Sequence, residues 1–212
     1  MIDHRLIPAG DRTSKRLLVM MHGLGDSFAG YLWMPEVLRL PWLNYLLPNA
    51  PDDYYGGYSW FDIYGGNIVA DVRRSRELVF ESLDSLLAKG WPTEQTVIGG
   101  FSQGGLMAIE VGLRYPHQFA GVISISGFVC EPEKLIGQLS PVARKQRILA
   151  THGTLDPLLP IAVSRRQIQQ LKSAGLNIEW HEFQKEHTIA GDEEISLIRE
   201  FICTGFNETG LT

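Results

Sequence analysis

The chain has 212 residues, of which 44% are hydrophobic and 20% charged, as in ordinary globular proteins. Its formal charge of −5 gives no electrostatic reason to expect nucleic acid or an anionic membrane as a partner, and its apolar runs are too short to insert stably across a bilayer. The length, without repeats or linkers, predicts one domain over residues 1–212. Two cysteines, Cys130 and Cys203, and an N-terminus unlike a signal peptide predict a reduced, cytoplasmic protein.

Short apolar runs alternate with helical patterns along the chain. Predicted strands cover residues 17–21, 44–47, 96–101, 121–125, 147–151 and 177–183. The first five are apolar at successive positions, as expected of parallel strands covered on both faces. The best-defined helices begin at Asn67, at Pro160 (ending near Ala174 and Gly175) and near Asp192. This alternation predicts an α/β fold, a mostly parallel sheet with helices on both faces, in which ligands bind at the carboxyl ends of the strands.

The first strand end carries a glycine-rich turn, His22-Gly23-Leu24-Gly25-Asp26. Glycines let the backbone approach a ligand closely, and the amides of such a turn can donate to an oxyanion. The same residues also fit a tight β-to-α turn with a hydrogen-bonded His22 and no catalytic role.

An aromatic segment follows the second strand. Within residues 51–66 it holds Tyr54, Tyr55, Tyr58, Trp60, Phe61 and Tyr64. A loop of this composition can line an apolar substrate site or a subunit contact. It can equally insert its rings into the core, because aromatic side chains are often buried for their area alone.

The pentapeptide Gly100-Phe101-Ser102-Gln103-Gly104 fits the G-x-S-x-G pattern and lies between a predicted strand and a helix-forming run. This strand–turn–helix arrangement exposes a serine hydroxyl at the top of a parallel sheet, and side chains at Gly100 or Gly104 would collide around the turn. Ser102 is therefore the candidate nucleophile. A serine that only caps the helix does not require both glycines.

A serine nucleophile requires a histidine base and a carboxylate that orients it, and with this motif the chain order is Ser, then Asp or Glu, then His. His187 follows the last predicted strand and is the candidate base, whereas His181 lies inside that strand. His117 and His152 fit the order less well. Asp156, after the strand at 147–151 and before Pro157, is the candidate acid, with Asp192 and Glu186 as the alternatives.

The motifs together resemble the phospholipase/carboxylesterase family of α/β-hydrolases, small esterases that include acyl-protein thioesterases and bacterial carboxylesterases. The matching stretches are HGLGDS at 22–27, LPNAP at 47–51, SWFD at 59–62, GGFSQGG at 99–105 and HGTLDPLLP at 152–160. The resemblance implies an α/β-hydrolase fold with Ser102, Asp156 and His187 as the catalytic triad. It also implies an oxyanion hole formed by the backbone N–H groups of Leu24 and Gln103.

One departure from the family pattern lies next to the candidate base. The family usually has a glycine before the catalytic histidine, but Lys185 and Glu186 precede His187 here. The charged residues leave the conformation of this loop open, and with it the range of acyl or leaving groups that the site accepts.

These observations predict a serine esterase or thioesterase that works through an acyl-enzyme and needs no metal or organic cofactor. Its expected substrates are small-molecule or lipid esters, or acylated proteins, and the predicted acyl-chain contacts are Leu24, Trp60, Phe128 and Leu158. A peptidase or acyltransferase on the same fold stays open, because leaving-group choice depends on pocket shape. A non-catalytic binding module is a further alternative, but such a protein would be expected to lack Ser102, Asp156 or His187.

Overall fold

The computed structural model describes residues 2–208 and confirms the predicted α/β architecture. Its strands are β1 (His4–Ile7), β2 (Leu17–Met21), β3 (Asn44–Pro48), β4 (Asp52–Tyr54), β5 (Gly57–Ser59), β6 (Thr96–Phe101), β7 (Gly121–Ile125), β8 (Ile148–Gly153) and β9 (Ile178–Phe183). Seven of them form a sheet in the order β1-β3-β2-β6-β7-β8-β9, in which only β1 runs antiparallel to its neighbour.

The helices are α1 (Met34–Leu38), α2 (Ile68–Ala88), α3 (Gln103–Arg114), α4 (Pro132–Ile136), α5 (Ile161–Ser173) and α6 (Asp192–Gly205). Asn67 caps α2 by accepting a hydrogen bond from the Ala70 N–H, as predicted. Within residues 2–208, no helix combines the length and the apolar character needed to cross a membrane. The first residue and residues 209–212 of the predicted domain lie outside the described residues, and the single domain stays a prediction.

Three strands were not predicted, and all three are short. β1 lies at the sheet edge with two exposed and two half-buried residues, so it carries no apolar run to detect. β4 and β5 form a separate hairpin within the aromatic segment, and its turn contains Tyr55 and Gly56, both at positive φ. The six predicted strands are present, each within two residues of the expected ends.

The two faces of the sheet are covered by different helices. Alternate residues of β2 separate into two cores: Leu17, Val19 and Met21 pack with α2, α3 and α5, whereas Leu18 and Met20 pack with α1 and α6. Because β2, β6, β8 and β9 run parallel, their carboxyl ends lie at one edge of the sheet. The predicted triad and oxyanion residues follow these four strand ends, whereas the aromatic segment follows β3 and Phe128 follows β7.

Candidate active site

Ser102 occupies the turn between β6 and α3 with φ +54° and ψ −116°, a conformation that L-residues rarely adopt. The turn is closely packed by backbone. A Cβ atom on Gly100 would lie 2.1 Å from the Gly104 carbonyl oxygen, and one on Gly104 would lie 2.1 Å from the carbonyl oxygen of Met21. Both positions therefore require glycine, as the sequence indicated, and close backbone packing holds Ser102 in the wall of a cleft.

Three side chains from three strand ends form one hydrogen-bonded line. Ser102 Oγ lies 2.8 Å from His187 Nε2, and His187 Nδ1 lies 2.7 Å from Asp156 Oδ2. Since the carboxylate can only accept, the imidazole proton belongs on Nδ1, which leaves Nε2 to accept the serine proton. The geometry is that of a general base held between a nucleophile and an orienting acid.

Asp156 is almost fully buried, at 8% exposure, but its carboxylate accepts several hydrogen bonds from protein groups. Its Oδ1 accepts from the N–H groups of Leu158 and Leu159, each at 2.9 Å. Burial alone would raise the pKa of Asp156; the hydrogen bonds from Leu159, His187 and Leu158 outweigh it and hold that pKa below its ordinary value. The acid therefore stays ionised at neutral pH.

The alternative residues lie elsewhere. His181 faces Glu179 at 2.6 Å on β9, and Glu186 and Asp192 are exposed. His152 is fully buried, and its Nε2–H donates to the Leu159 carbonyl at 2.8 Å. Burial lowers the pKa of His152, so it supports the Asp156 loop as a neutral group.

The turn after β2 is held by His22. Its Nδ1–H donates to the Gly23 carbonyl at 2.6 Å and its Nε2 accepts from the Ala50 N–H at 3.0 Å. Burial lowers the pKa of His22 and keeps the ring neutral. Leu24 and Gln103 both line the cleft, and within residues 2–208 neither backbone N–H has a hydrogen-bond partner, which leaves both groups available to a ligand.

Trp60 lies beneath this region and does not line the cleft. It has no exposed surface, and its Nε1–H donates to the His22 carbonyl at 2.9 Å. Its backbone N–H donates to Gln103 Oε1 at 2.9 Å, and Gln103 Nε2 donates in turn to the Phe61 carbonyl at 2.8 Å. The predicted acyl contact at Trp60 is thus corrected: a large ring with this many internal partners braces the turn after β2 against the serine turn. The supporting role of the Gln103 side chain had no signal in the sequence.

The cleft beside Ser102 has a volume of about 990 Å³. Leu24, Phe128 and Leu158 line it as predicted residues, and Leu158 is 69% exposed. Tyr64, from the aromatic segment that the sequence offered as a possible cleft wall, also lines it. Further apolar lining residues were not predicted, among them Tyr31, Trp33, Ile63, Ile68, Ile189 and Ile195. Apolar character in segments near the strand ends was their only available signal.

The aromatic segment divides between the two interpretations given for it. Trp60 and Phe61 are fully buried in the core. Tyr55 and Tyr64 are 97% and 82% exposed, and Tyr64 lines the cleft. The segment therefore anchors itself in the core and also contributes to the cleft wall.

Residues 184–191, here named the histidine loop, contain the unexpected Lys185. This lysine is buried, and its Nζ lies 2.6 and 2.8 Å from the two carboxylate oxygens of Glu194 in α6. Burial lowers the pKa of the Lys185 ammonium, and the Glu194 carboxylate opposes that shift. Of the two charged residues that precede His187, Lys185 thus belongs to an internal ion pair, whereas Glu186 is exposed to solvent.

Comparison with known proteins gives a consistent result. The family model described as phospholipase/carboxylesterase matches residues 2–205. Acyl-protein thioesterase 1 of Schizosaccharomyces pombe is 34% identical over 169 residues, covering 73% of this chain and 74% of that protein. The crystal structure of esterase PE8 superposes with a TM-score of 0.80 at 28% identity and covers 96% of this chain and 98% of its own. Arabidopsis thaliana SOBER1 gives 0.81 at 26% identity, covering 90% and 98%.

The chain belongs to the phospholipase/carboxylesterase family.

Proposed function

We propose that this member of the phospholipase/carboxylesterase family is a serine hydrolase that cleaves carboxylic esters and thioesters with an apolar acyl chain. The observation that carries the proposal is the line from Asp156 Oδ2 through the His187 ring to Ser102 Oγ, with two hydrogen bonds of 2.7 and 2.8 Å. The relatives' names support ester and thioester substrates. The cleft beside Ser102 supports an apolar acyl group.

The proposed reaction has two proton-balanced halves. His187 Nε2 takes the proton of Ser102, Oγ bonds to the acyl carbon, and the alkoxide or thiolate leaves with the proton that His187 returns. Water then gives a proton to His187 Nε2 while its oxygen bonds to the acyl carbon. The bond between that carbon and Ser102 Oγ breaks, His187 returns the proton to Oγ, and the carboxylic acid is released. The residues of the chain suffice for these steps, so we propose no cofactor.

We assign the oxyanion contacts to the backbone N–H groups of Leu24 and Gln103. Both belong to residues that line the cleft, and both are without a partner within residues 2–208. The N-terminus of α3 also directs its positive dipole end at the reacting oxygen. Removing one such donor from comparable sites costs about 3 kcal/mol of barrier.

The acyl chain is proposed to lie along Leu24, Phe128 and Leu158, with a small ester, a lipid or an acylated protein as the substrate. We also propose that the protein works in a reducing compartment, the cytoplasm. This is supported by its two cysteines, because Cys130 and Cys203 are both free.

Labelling with a serine-directed fluorophosphonate tests the proposal. The wild-type protein should be labelled and Ser102→Ala should not, since the probe reports an activated serine. Equal labelling of both, or none of the wild type, would refute a serine hydrolase. Initial rates on esters and thioesters of increasing acyl length then test the cleft, and a profile that is flat with length contradicts its role as an acyl site.

A further inference from the structure

One carboxylate holds the histidine loop on both sides of His187. Glu194 Oε1 and Oε2 bind the ammonium of Lys185, two residues before the histidine, at 2.6 and 2.8 Å. Glu194 Oε2 also accepts from the backbone N–H of Ala190, three residues after it, at 2.6 Å. The histidine loop is thereby closed into a ring whose fixed point lies on α6.

One backbone contact connects this ring to the segment that carries Asp156, and a second shapes the turn at His187. The Lys185 carbonyl accepts from the Leu155 N–H at 3.1 Å and so fixes the histidine loop to the segment that carries Asp156. The Thr188 N–H donates to the Glu186 carbonyl at 2.9 Å, which makes His187 the centre of a tight three-residue turn. Lys185 is therefore linked through the backbone both to the Asp156 segment and to the turn that carries the imidazole.

We propose that Lys185 and Glu194 are positioning residues for the histidine base: their buried ion pair fixes the histidine loop in the one conformation that aligns His187 with Ser102 and Asp156. The inference rests on the proposed function, since it concerns the efficiency of the same proton transfer. Neither side chain lines the cleft, so both act through His187.

The buried ion pair acts on the geometry of the histidine loop rather than on the stability of the fold. The Lys185 and Glu194 side chains are 3% and 0% exposed, and at such depth the loss of hydration offsets most of the attraction between the charges. An apolar pair at positions 185 and 194 would fill the same space at similar net stability. It would lack the directional bonds between the two side chains and the hydrogen bond from the Ala190 N–H. What the ions add is a single loop conformation.

The reaction requires that conformation. Proton transfer needs Ser102 Oγ and His187 Nε2 within hydrogen-bond reach, roughly 2.6–3.2 Å, and a displacement of about 1 Å can reduce the rate about 100-fold. A loop of eight residues without its anchor samples displacements of that size.

The test replaces the ions while retaining the packing. Lys185→Met combined with Glu194→Leu should restore the thermal midpoint lost in Lys185→Met alone, because it removes both buried charges. The turnover number on a short activated ester and the rate of labelling by a small fluorophosphonate should nevertheless fall at least 30-fold, with KM within about threefold of wild type. A merely structural pair would lower the midpoint and leave turnover by the folded protein unchanged.

The controls separate this inference from the proposed function. Lys134→Met removes an equivalent ammonium from an exposed ion pair with Glu131 and should leave every measurement unchanged. Absence of labelling in the wild type refutes the proposed function, whereas a wild type that is labelled while Ser102→Ala is not leaves the paired variants to decide the inference.

Glu194→Gln covers the case in which the double variant does not fold. Its amide keeps the shape and the acceptor for the Ala190 N–H but loses the charge opposite Lys185. Its turnover should fall about fivefold to tenfold, with KM again little changed. Turnover within twofold of wild type in Glu194→Gln, or within threefold in a folded double variant, overturns the inference.

Discussion

Two regions of the molecule supply the two halves of the proposed proton transfer: the turn between β6 and α3, which carries Ser102, and the histidine loop, which carries His187. In the first, glycines allow backbone to pack against backbone, with distances that exclude even one added carbon. In the second, the buried ion pair between Lys185 and Glu194 ties the histidine loop to α6. The serine is thus fixed by the fold itself, whereas the histidine depends on two particular side chains.

The largest expected effect comes from removing the base that joins the two regions. His187→Ala should lower kcat about 10⁴-fold, because the serine then has no proton acceptor. His181→Ala, at a half-buried position on β9, is the matched control and should change kcat less than twofold. Steady-state rates on one activated ester measure both, and the reverse order would show that the base is His181.

Adding a carbon to the serine turn tests its dependence on backbone packing. Gly104→Ala should lower the free energy of unfolding by about 3 kcal/mol, because its Cβ would meet the Met21 carbonyl and the start of α3 would have to move away from β2. Gly66→Ala adds the same carbon in open space and should have little effect. Urea denaturation of the two variants gives the comparison, and equal stability would contradict the packing argument.

Acid should destabilise the supports of both regions through two buried histidines: His22 in the turn after β2, which is braced against the serine turn, and His152, which supports the segment that carries Asp156. The folded state lowers both pKa values, so on unfolding each ring gains a proton near its ordinary pKa of about 6.5. Stability is therefore complete above that pH and falls as the pH drops below it, by up to about 1.4 kcal/mol per pH unit and histidine.

The variants His22→Gln and His152→Gln should each flatten this acid slope, as measured by chemical denaturation between pH 5 and 7. Asp156 contributes in the same sense as the two histidines, but at lower pH. Its lowered folded pKa gives stability that is present above the ordinary carboxyl pKa and is lost only as the pH falls further. An unchanged slope in both variants would show that the two rings are not kept neutral.

The smallest expected effect concerns the cleft side of the segment around Asp156. Leu158→Ala should lower kcat/KM for long acyl chains about fivefold, from about 1 kcal/mol of lost apolar contact, and leave short chains unaffected. Leu155 is similarly exposed but does not line the cleft, so Leu155→Ala is its matched control. Equal losses in both variants would place the acyl chain elsewhere.

The same contrast explains what sequence could predict. The serine turn depends on glycines at fixed spacing between a strand and a helix, so Gly100, Ser102 and Gly104 were readable as one local pattern. Parallel strands with apolar residues at successive positions made the sheet equally readable, and its confirmed topology brings the predicted strand ends to one edge.

The histidine loop was less readable because its anchor joins residues with no local pattern. The residues next to Lys185 in the sequence do not indicate that its side chain is buried, nor that it binds Glu194 of α6. The prediction that Trp60 contacts the acyl chain was wrong for a related reason. An aromatic residue beside a candidate site can line the cleft or support it from below, and only the contacts of Trp60 with His22 and Gln103 distinguish the two.

The position of Glu194 in the last helix also bears on when the site becomes complete. Ser102 and His187 are 85 residues apart, and the anchor of the histidine loop comes later still. Because the Lys185–Glu194 pair joins the histidine loop to α6, the proposed site is complete only when α6 has packed against the rest of the fold. A folding chain in which α6 is not yet docked can already contain the serine turn, but its histidine loop lacks the anchor, and Ser102 stays unactivated until that helix is in place.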